Sequence, residues 1–266
     1  MRAWEGTFNR RTVAGGGYFD GKRFIVDYRI SFTDEDYLEP DYFIIEFERP
    51  GVDLSYQIED PRFPAYRVDN SVDLNDPGEF VFDEVMSQVW HTTDTDFISA
   101  INVKIPHTIG SAPGFFKLGA KLRHRVAVQS SDTRIYDQFN GTFLLGDVLG
   151  DYRNPNHLEG RYDLGPFPDL HLSRAFLRDH LDSFVLNERE TREDSDPNSY
   201  RAAENIFAAY GSASFQFGRL RTLFGARVEE TGVTYTGNEV VIADNGLYER
   251  TNALNGLSGY TRLFPG

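Results

Sequence analysis

The chain has 266 residues, of which 41 are acidic and 27 basic, and it contains no cysteine. Its net charge of -14 argues against nucleic acid as a partner, because a phosphate backbone is neutralised by clustered positive charge. The lack of cysteine excludes a disulfide scaffold. The longest stretch without Asp, Glu, Lys or Arg is residues 205–218, too short for a membrane-spanning helix of about 20 apolar residues. The 22 Phe and 14 Tyr residues favour strands.

Charge is distributed unevenly along the chain. Residues 31–100 contain 18 acidic and 3 basic residues, and residues 141–200 contain 12 and 6. The intervening residues 101–140 reverse the sign, with 6 basic and 2 acidic residues. A solvated surface does not require such segregation, so the pattern indicates a structural cause.

Period-two alternation predicts strands from the N-terminus onward. A weak run at residues 4–14 is followed by a clear one at 23–32. One face of the second run carries Phe24, Val26, Tyr28, Ile30 and Phe32, and the other carries Arg23, Asp27, Arg29 and Ser31. Weaker runs at residues 42–48, 52–58 and 85–105 predict the next strands.

The run at residues 116–128 alternates over its whole length, and further strands are predicted at 206–217 and 220–235. Its apolar positions are Phe116, Leu118, Ala120, Leu122, Val126 and Val128, and opposite them are Lys117, Gly119, Lys121, Arg123 and Arg125. Only His124 falls on the apolar side. If these positions faced lipid, each cation near the midplane would destabilise the protein by roughly 2 to 4 kcal/mol. The basic positions are therefore expected to face a lumen.

The lengths of these runs and of their connections favour a membrane barrel. Ordinary strands average about 5 to 6 residues, whereas a tilted strand that crosses a bilayer needs roughly 9 to 11. Predicted short connections are 15–17, 50–51, 106–114 and 218–219, and predicted long polar ones are 59–80, 129–204 and 236–258. Short turns at one rim and long loops at the other are typical of outer-membrane barrels. A soluble β-sandwich with one wet face also alternates and stays open as an alternative.

The loop 129–204 is predicted to hold a helix. Pro168-Asp169 is a plausible start, and one face would carry Phe176, Leu177, Leu181, Phe184 and Val185. The charged segment 188–198 is expected to be mobile.

Four short motifs in the second half of the chain resemble the barrel strands of TonB-dependent outer-membrane receptors. Residues 204–210 (ENIFAAY), the turn 217–220 (FGRL) and residues 224–231 (FGARVEET) are similar to that family's E-x-x-x-A-x-Y strand, tight turn and G-x-R-x-E-x-T strand. Residues 116–123 (FKLGAKLR) resemble the preceding K-x-G-x-K-x-R strand, and residues 260–265 (YTRLFP) the segment that opens the next one.

The resemblance implies that residues 1–266 form about eight or nine strands of a barrel that in this family has about 22. The N-terminal plug domain with its TonB box and the later strands would lie outside the chain. Lys117, Lys121, Arg123, Arg125, Arg227 and Glu229 would form a lumen wall that contacts the plug or a ligand, or that simply solvates the lumen. The extracellular loop residues Tyr152, His157, Tyr162 and His171 are candidates for ligand recognition.

The function implied is import of a scarce nutrient across the outer membrane, driven through the plug by the TonB complex. Siderophores, cobalamin and oligosaccharides are ligands of the family, and the aromatic and acidic loops lean towards a sugar. The partners would be outer-membrane lipid, the plug, TonB and the nutrient. A secreted soluble all-β protein that binds or hydrolyses carbohydrate is the alternative, and a barrel that does not transport is a third possibility.

No enzyme, metal or cofactor is indicated by the sequence. His157-Leu158-Glu159 has the H-x-E pattern of zinc deaminases but lacks the cysteine ligands they need. The segment 73–84 imitates a calcium loop, yet Pro77 occupies a ligand position. The carboxylates of Asp34, Glu35, Asp36, Glu39 and Asp41 are expected to form a solvated rim where a strand meets a loop.

Overall fold

The structure is a computed structural model that describes residues 1–58, 60–68 and 72–265. Four residues of the predicted connection 59–80, namely 59 and 69–71, therefore lie outside the described residues.

Strands dominate the described chain, with 67% of residues in strands and 12% in helices. The strands are β1 (Arg2–Ala3), β2 (Thr7–Asp20), β3 (Ile25–Glu48), β4 (Leu54–Gln57), β5 (Ala65–Val68), β6 (Val81–Ile109), β7 (Ala112–Phe139), β8 (Asn154–Asn156), β9 (Tyr162–Leu164), β10 (Phe184–Leu186), β11 (Tyr200–Phe217), β12 (Leu220–Ile242) and β13 (Tyr248–Pro265). The helices are α1 (His157–Gly160), α2 (Leu170–Asp179) and α3 (Glu188–Ser195), with 3₁₀ turns at Pro77–Glu79, Leu145–Val148 and Leu181–Ser183. None of the described helices combines the length and the apolar character that crossing a bilayer requires.

A large antiparallel sheet contains nine of the strands, which confirms the prediction of a mostly β chain. Its order is β1-β3-β6-β7-β11-β12-β13, with β2 also paired to β3 and β10 paired to β7. Among the described residues, the long outer strands β2 and β13 each pair along one side only. The pairs β4-β5 and β8-β9 form two small separate sheets.

The first of two compact units consists of Met1–Glu5, Pro40–Val89 and Asp132–Thr191. Its core is aromatic and aliphatic, formed by Phe43, Ile45, Val85, Tyr136, Phe143, Val148 and Phe184. Helix α2 is capped by Asp169, whose carboxylate accepts a hydrogen bond from Leu172 N at 2.8 Å. The helix packs on this core through Phe176, whose ring stacks on Phe143 with 3.9 Å between centroids.

The second unit consists of Gly6–Glu39, Trp90–Ser131 and residues 192–265. Its strands pair over long registers, so that Leu122 lies opposite Phe207 and Phe207 lies opposite Glu230. The predicted turn at 218–219 is confirmed, with Gly218 at a φ of 59° between β11 and β12. The other tight turn in the predicted region 106–114 consists of residues 110–111.

The prediction of a turn at residues 15–17 was wrong, because Gly15, Gly16 and Gly17 lie inside β2. A Cβ at residue 16 would lie 2.5 Å from the carbonyl oxygen of Tyr28, and one at residue 17 would lie 2.6 Å from the Tyr28 ring. These glycines therefore allow β3 to approach closely. The chain turns later, where Gly21 N donates a hydrogen bond to the Phe24 carbonyl at 2.9 Å.

Two further predictions of strand boundaries were wrong. Runs 23–32 and 42–48 belong to one strand, β3, so the five carboxylates from Asp34 to Asp41 lie within a strand and not where a strand meets a loop. The predicted loop 236–258 is a hairpin of β12 and β13, closed around Gly246. The predicted turn at residues 50–51 is present, with Gly51 at a φ of 72°, but the strand that follows it, β4, pairs with β5 and not with β3.

The predicted loop 129–204 is shorter than expected, because β7 continues to Phe139 and β11 begins at Tyr200. Its helix starts as predicted but ends at Asp179. Leu181 lies in a 3₁₀ turn, and Phe184 and Val185 lie in β10. The charged segment 188–198 is largely helix α3.

Candidate functional site

One side of the second unit's sheet, here called the apolar face, is covered by large hydrophobic side chains. It carries Phe116, Leu118, Leu122, Phe207, Phe224, Val228 and Leu263, which the strand registers place on the same side. Each of these side chains is at least 40% exposed. No packing partner covers them within the described part of the chain.

The opposite side, here called the charged face, carries the six residues predicted for the lumen wall. Lys121 lies opposite Ala208, which lies opposite Glu229 on the next strand. Lys117, Arg123 and Arg125 alternate with the apolar positions of β7, and Arg227 precedes Glu229 by two residues on β12. The structure therefore brings all six residues to one surface.

Two arginines of the charged face form ion pairs with aspartates that sequence reasoning missed. Arg123 donates two hydrogen bonds to the Asp96 carboxylate from one edge of its guanidinium, from Nε at 2.9 Å and from Nη2 at 2.8 Å. Arg125 binds Asp94 in the same way, with Nε at 2.9 Å. The aspartates lie on β6 and are two residues apart, like the arginines on β7. That matched spacing is the sequence signal for the pairing, although it does not fix the register between β6 and β7.

A small cavity of about 210 Å³ lies over these pairs. It is lined by Arg10, Thr33, Glu35, Asp94, Asp96, Arg123 and Arg125. Arg10 binds Glu35 at 3.0 Å, so three cations face three carboxylates. The net charge of this region is therefore close to zero, and it does not favour anions over neutral solutes.

Closer to the tight turns, the cations of the charged face lie beside aromatic rings. Lys104 Nζ is 4.6 Å from the centroid of the Phe115 ring, and Lys117 Nζ is 5.9 Å from that of Tyr210. The Tyr210 hydroxyl donates a hydrogen bond to Asn102 Oδ1 at 2.8 Å. These contacts hold the lysines through cation–π attraction.

Two of the four predicted loop residues, Tyr162 and His157, lie in an aromatic cluster of the first unit, and a third, Tyr152, forms a separate pair there. Tyr162 stacks on Tyr66 with 6.1 Å between centroids, and its hydroxyl donates to the Pro64 carbonyl at 2.7 Å. The His157 ring lies 6.5 Å from that of Tyr162, and the Tyr152 ring lies 5.6 Å from that of Phe167. His171 lies elsewhere, exposed on the first turn of α2.

A cavity of about 590 Å³ adjoins this cluster. Its lining includes Tyr66, Asp73, Asn75, Phe80, Asp163 and Phe167. Of these, only Asp73 and Asn75 were considered from the sequence, as part of the calcium-like segment 73–84. Arg153 donates to Asp163 Oδ2 at 2.7 Å and to Asn75 Oδ1 at 2.6 Å. The hydrogen bond with Asp163 raises the pKa of the Arg153 guanidinium.

The candidate metal patterns do not form a ligand cluster. Within residues 1–58, 60–68 and 72–265, no group of three or more His, Asp or Glu side chains is arranged to hold a metal ion. The Asp73 carboxylate accepts a hydrogen bond from Asn75 N at 2.8 Å, and Glu84 belongs to β6. Leu158 and Glu159 have positive φ angles in a left-handed turn.

Comparison with known proteins adds no assignment, since no protein-family model and no curated protein matches the chain.

Proposed function

We propose that the chain forms part of the β-barrel of a TonB-dependent receptor in the outer membrane. In this proposal the apolar face contacts lipid and the charged face lines a water-filled lumen. The observation that carries it is the two-sided sheet, whose long strands expose hydrophobic side chains on one side and polar ones on the other. Outer-membrane strands alternate in the same way between lipid and lumen.

The height of the apolar face supports the proposal. It extends along β12 from Leu220, at the tight turn, to Glu230, which lies opposite Phe207. Beyond this limit, His124 on β7 shares a hydrogen bond of 2.7 Å with Asn205 on β11, and exposed apolar side chains on the same side become sparse, Val128 and Leu257 among them. The ten residue steps from Leu220 to Glu230 span about 34 Å, which a tilt of 45° reduces to about 24 Å. The apolar band of outer-membrane barrels is about 25 Å tall.

The apolar face also disfavours the soluble alternative. A β-sandwich buries such a face against a second sheet about 10 Å away, and monomeric soluble proteins rarely expose apolar patches beyond a few hundred Å². Phe116, Leu118 and Phe207 are exposed on neighbouring strands. Lipid would remove this surface from water.

The positions of the resemblance motifs favour this receptor family over other barrels. The four motifs lie on β7, β11, β12 and β13, which are neighbours in the sheet in that order. In the family, a plug domain fills the lumen and TonB pulls on it, so that a nutrient bound at the external loops is imported without any bond being broken. The charged face would contact the plug, and the cluster around Tyr162 would contact the nutrient.

Membrane insertion is tested by a matched pair of substitutions on adjacent residues of β7. Leu122→Arg places a cation on the apolar face and is expected to destabilise the vesicle-folded chain by about 2 to 4 kcal/mol. Lys121→Leu changes the charged face and should destabilise the vesicle-folded chain by less than half as much. Urea titration of the chain folded into lipid vesicles measures both, and equal effects would contradict the assignment of the faces.

Energy coupling is tested in cells that carry the complete gene. The DNA flanking this reading frame is expected to encode a plug with a TonB box upstream and further strands downstream. Uptake of the nutrient should stop when a protonophore collapses the inner-membrane gradient. Stop codons on both sides, or uptake that is insensitive to the protonophore, would contradict a TonB-coupled receptor.

A further inference from the structure

The cavity beside the aromatic cluster has the composition of a carbohydrate site. Its apolar wall includes Phe80 and Phe167, and Tyr66 presents a ring that is 44% exposed. The ring of Tyr162 stacks on the ring of Tyr66, with an angle of only 5° between the two ring planes. A ring fixed in this way offers a flat surface to the C–H face of a sugar at little conformational cost.

Polar groups at the same cavity are fixed before any ligand arrives. Arg153 bridges Asp163 and Asn75, so three planar side chains share one network. Gly165 is part of the arrangement, because its φ is 134° and a Cβ there would lie 3.2 Å from Arg153 Cγ. The remaining lone pairs of Asp163 and the amide N–H groups of Asn75 can accept from and donate to vicinal hydroxyls.

The charge of the cavity lining favours a neutral ligand over an anionic one. Asp73 and Asp163 are the charged side chains among the described residues that line the cavity. The Arg153 guanidinium, which is bound to Asp163, offsets one of these two carboxylates. The remaining negative charge disfavours an anionic iron chelate or an acidic sugar, and the carboxylates accept hydrogen bonds from hydroxyl groups. At about 590 Å³ the cavity is also within the usual range of small-ligand sites, roughly 300 to 1,000 Å³.

We propose that this cavity binds a neutral oligosaccharide, whose ring stacks on Tyr66 and whose hydroxyls bond to Asp163 and Asn75. The inference rests on the proposed receptor function for its biological meaning, since the bound sugar would be the imported nutrient. Binding itself requires neither the membrane nor TonB.

Calorimetric titration of the purified full chain in detergent tests the inference. The probes are maltotriose, cellotriose and xylotriose as neutral sugars, and trigalacturonate and ferric citrate as anionic ligands. At least one neutral trisaccharide should bind at least about tenfold more tightly than either anion. Tyr66→Ala should weaken that binding about tenfold or more, whereas Tyr66→Phe should retain it.

Tyr56→Ala is the matched control, because Tyr56 lies opposite Tyr66 on the same hairpin but does not line the cavity. Circular dichroism should show the same strand content in all variants. Failure of all three neutral sugars to bind, tighter binding of an anion, or equal loss in Tyr56→Ala and Tyr66→Ala would overturn the inference. If vesicle insertion succeeds while sugar binding fails, only the carbohydrate assignment is lost. Sugar binding by a chain that does not insert would refute only the membrane receptor.

Discussion

At the scale of single residues, the charged face is held together by ion pairs of unequal burial. The Arg123 and Asp96 side chains are 28% and 21% exposed, whereas those of Arg10 and Glu35 are 60% and 32% exposed. Solvent screens an exposed pair, which typically contributes less than about 1 kcal/mol. A hydrogen-bonded pair with restricted access to water contributes more.

Arg123→Ala should therefore lower the free energy of unfolding by about 1.5 to 3 kcal/mol, and Arg10→Ala by less than about 1 kcal/mol. Urea titrations of both variants and of Asp96→Ala would measure this difference. In the double variant Arg123→Ala/Asp96→Ala, the second substitution should lower the free energy of unfolding only slightly further, because the partner of the replaced side chain is already absent. Fully additive costs would show that the pair does not interact.

Alternation along β7 predicted which side Arg123 occupies, because side-chain direction in a strand depends only on sequence parity. The partner Asp96 is 27 residues earlier in the chain. Its distance from Arg123 depends on the register between β6 and β7, which local patterning does not determine. The same reason kept Tyr66 out of the predicted loop site, since only folding brings it to Tyr162.

Glu84, in the first unit and outside the proposed membrane-spanning segments, makes stability depend on pH. Burial raises its pKa above the ordinary value, as do the nearby carboxylates of Glu190, Glu46, Asp83 and Asp137. The folded chain therefore binds the proton more tightly than the unfolded chain, and stability falls as pH rises from about 4.5 through the raised pKa.

Glu84→Gln should remove this loss. The variant is expected to be more stable than the parent chain at pH 7 and to show no such advantage at pH 4. Thermal unfolding at both values would measure it, with Glu48→Gln as a control for an exposed carboxylate on β3. A gain at pH 4 equal to that at pH 7 would contradict the origin given for the shifted pKa.

At the scale of elements, helix α2 was predicted from its cap and its apolar face, and both signals are local. Asp169→Ala removes the acceptor for Leu172 N and should destabilise the helix by about 0.5 to 2 kcal/mol. Asp169→Asn keeps an acceptor and should lose less. Hydrogen exchange of the amides of α2 measures both, and equal protection in the two variants would argue against the cap.

The elements that were predicted wrongly share a cause. Glycine triplets and polar stretches usually mark turns, but Gly16 and Gly17 leave room for Tyr28, and the polar residues after Thr236 pair along β13. A strand that extends beyond its apolar face keeps its hydrogen bonds without hydrophobic alternation. A prediction based on composition alone therefore placed the ends of β3, β7 and β12 too early in the sequence.

At the scale of the whole molecule, the antiparallel sheet was predictable because each long strand repeats the same two-residue pattern and successive long strands pair with each other. Whether such a sheet is part of a closed barrel depends on pairing at β2 and β13, which the pattern within each strand does not encode. Membership of a membrane barrel requires that the apolar face contact lipid.

Spin labels placed one at a time along β7 test for this contact with lipid. The chain has no native cysteine, so a single cysteine can be introduced and labelled at each position from 116 to 123. In vesicles, labels at Phe116, Leu118, Ala120 and Leu122 should collide with oxygen dissolved in lipid, and labels at Lys117, Gly119, Lys121 and Arg123 should collide with a water-soluble nickel chelate. Access to the nickel chelate at all eight positions, without alternation, would contradict the membrane assignment.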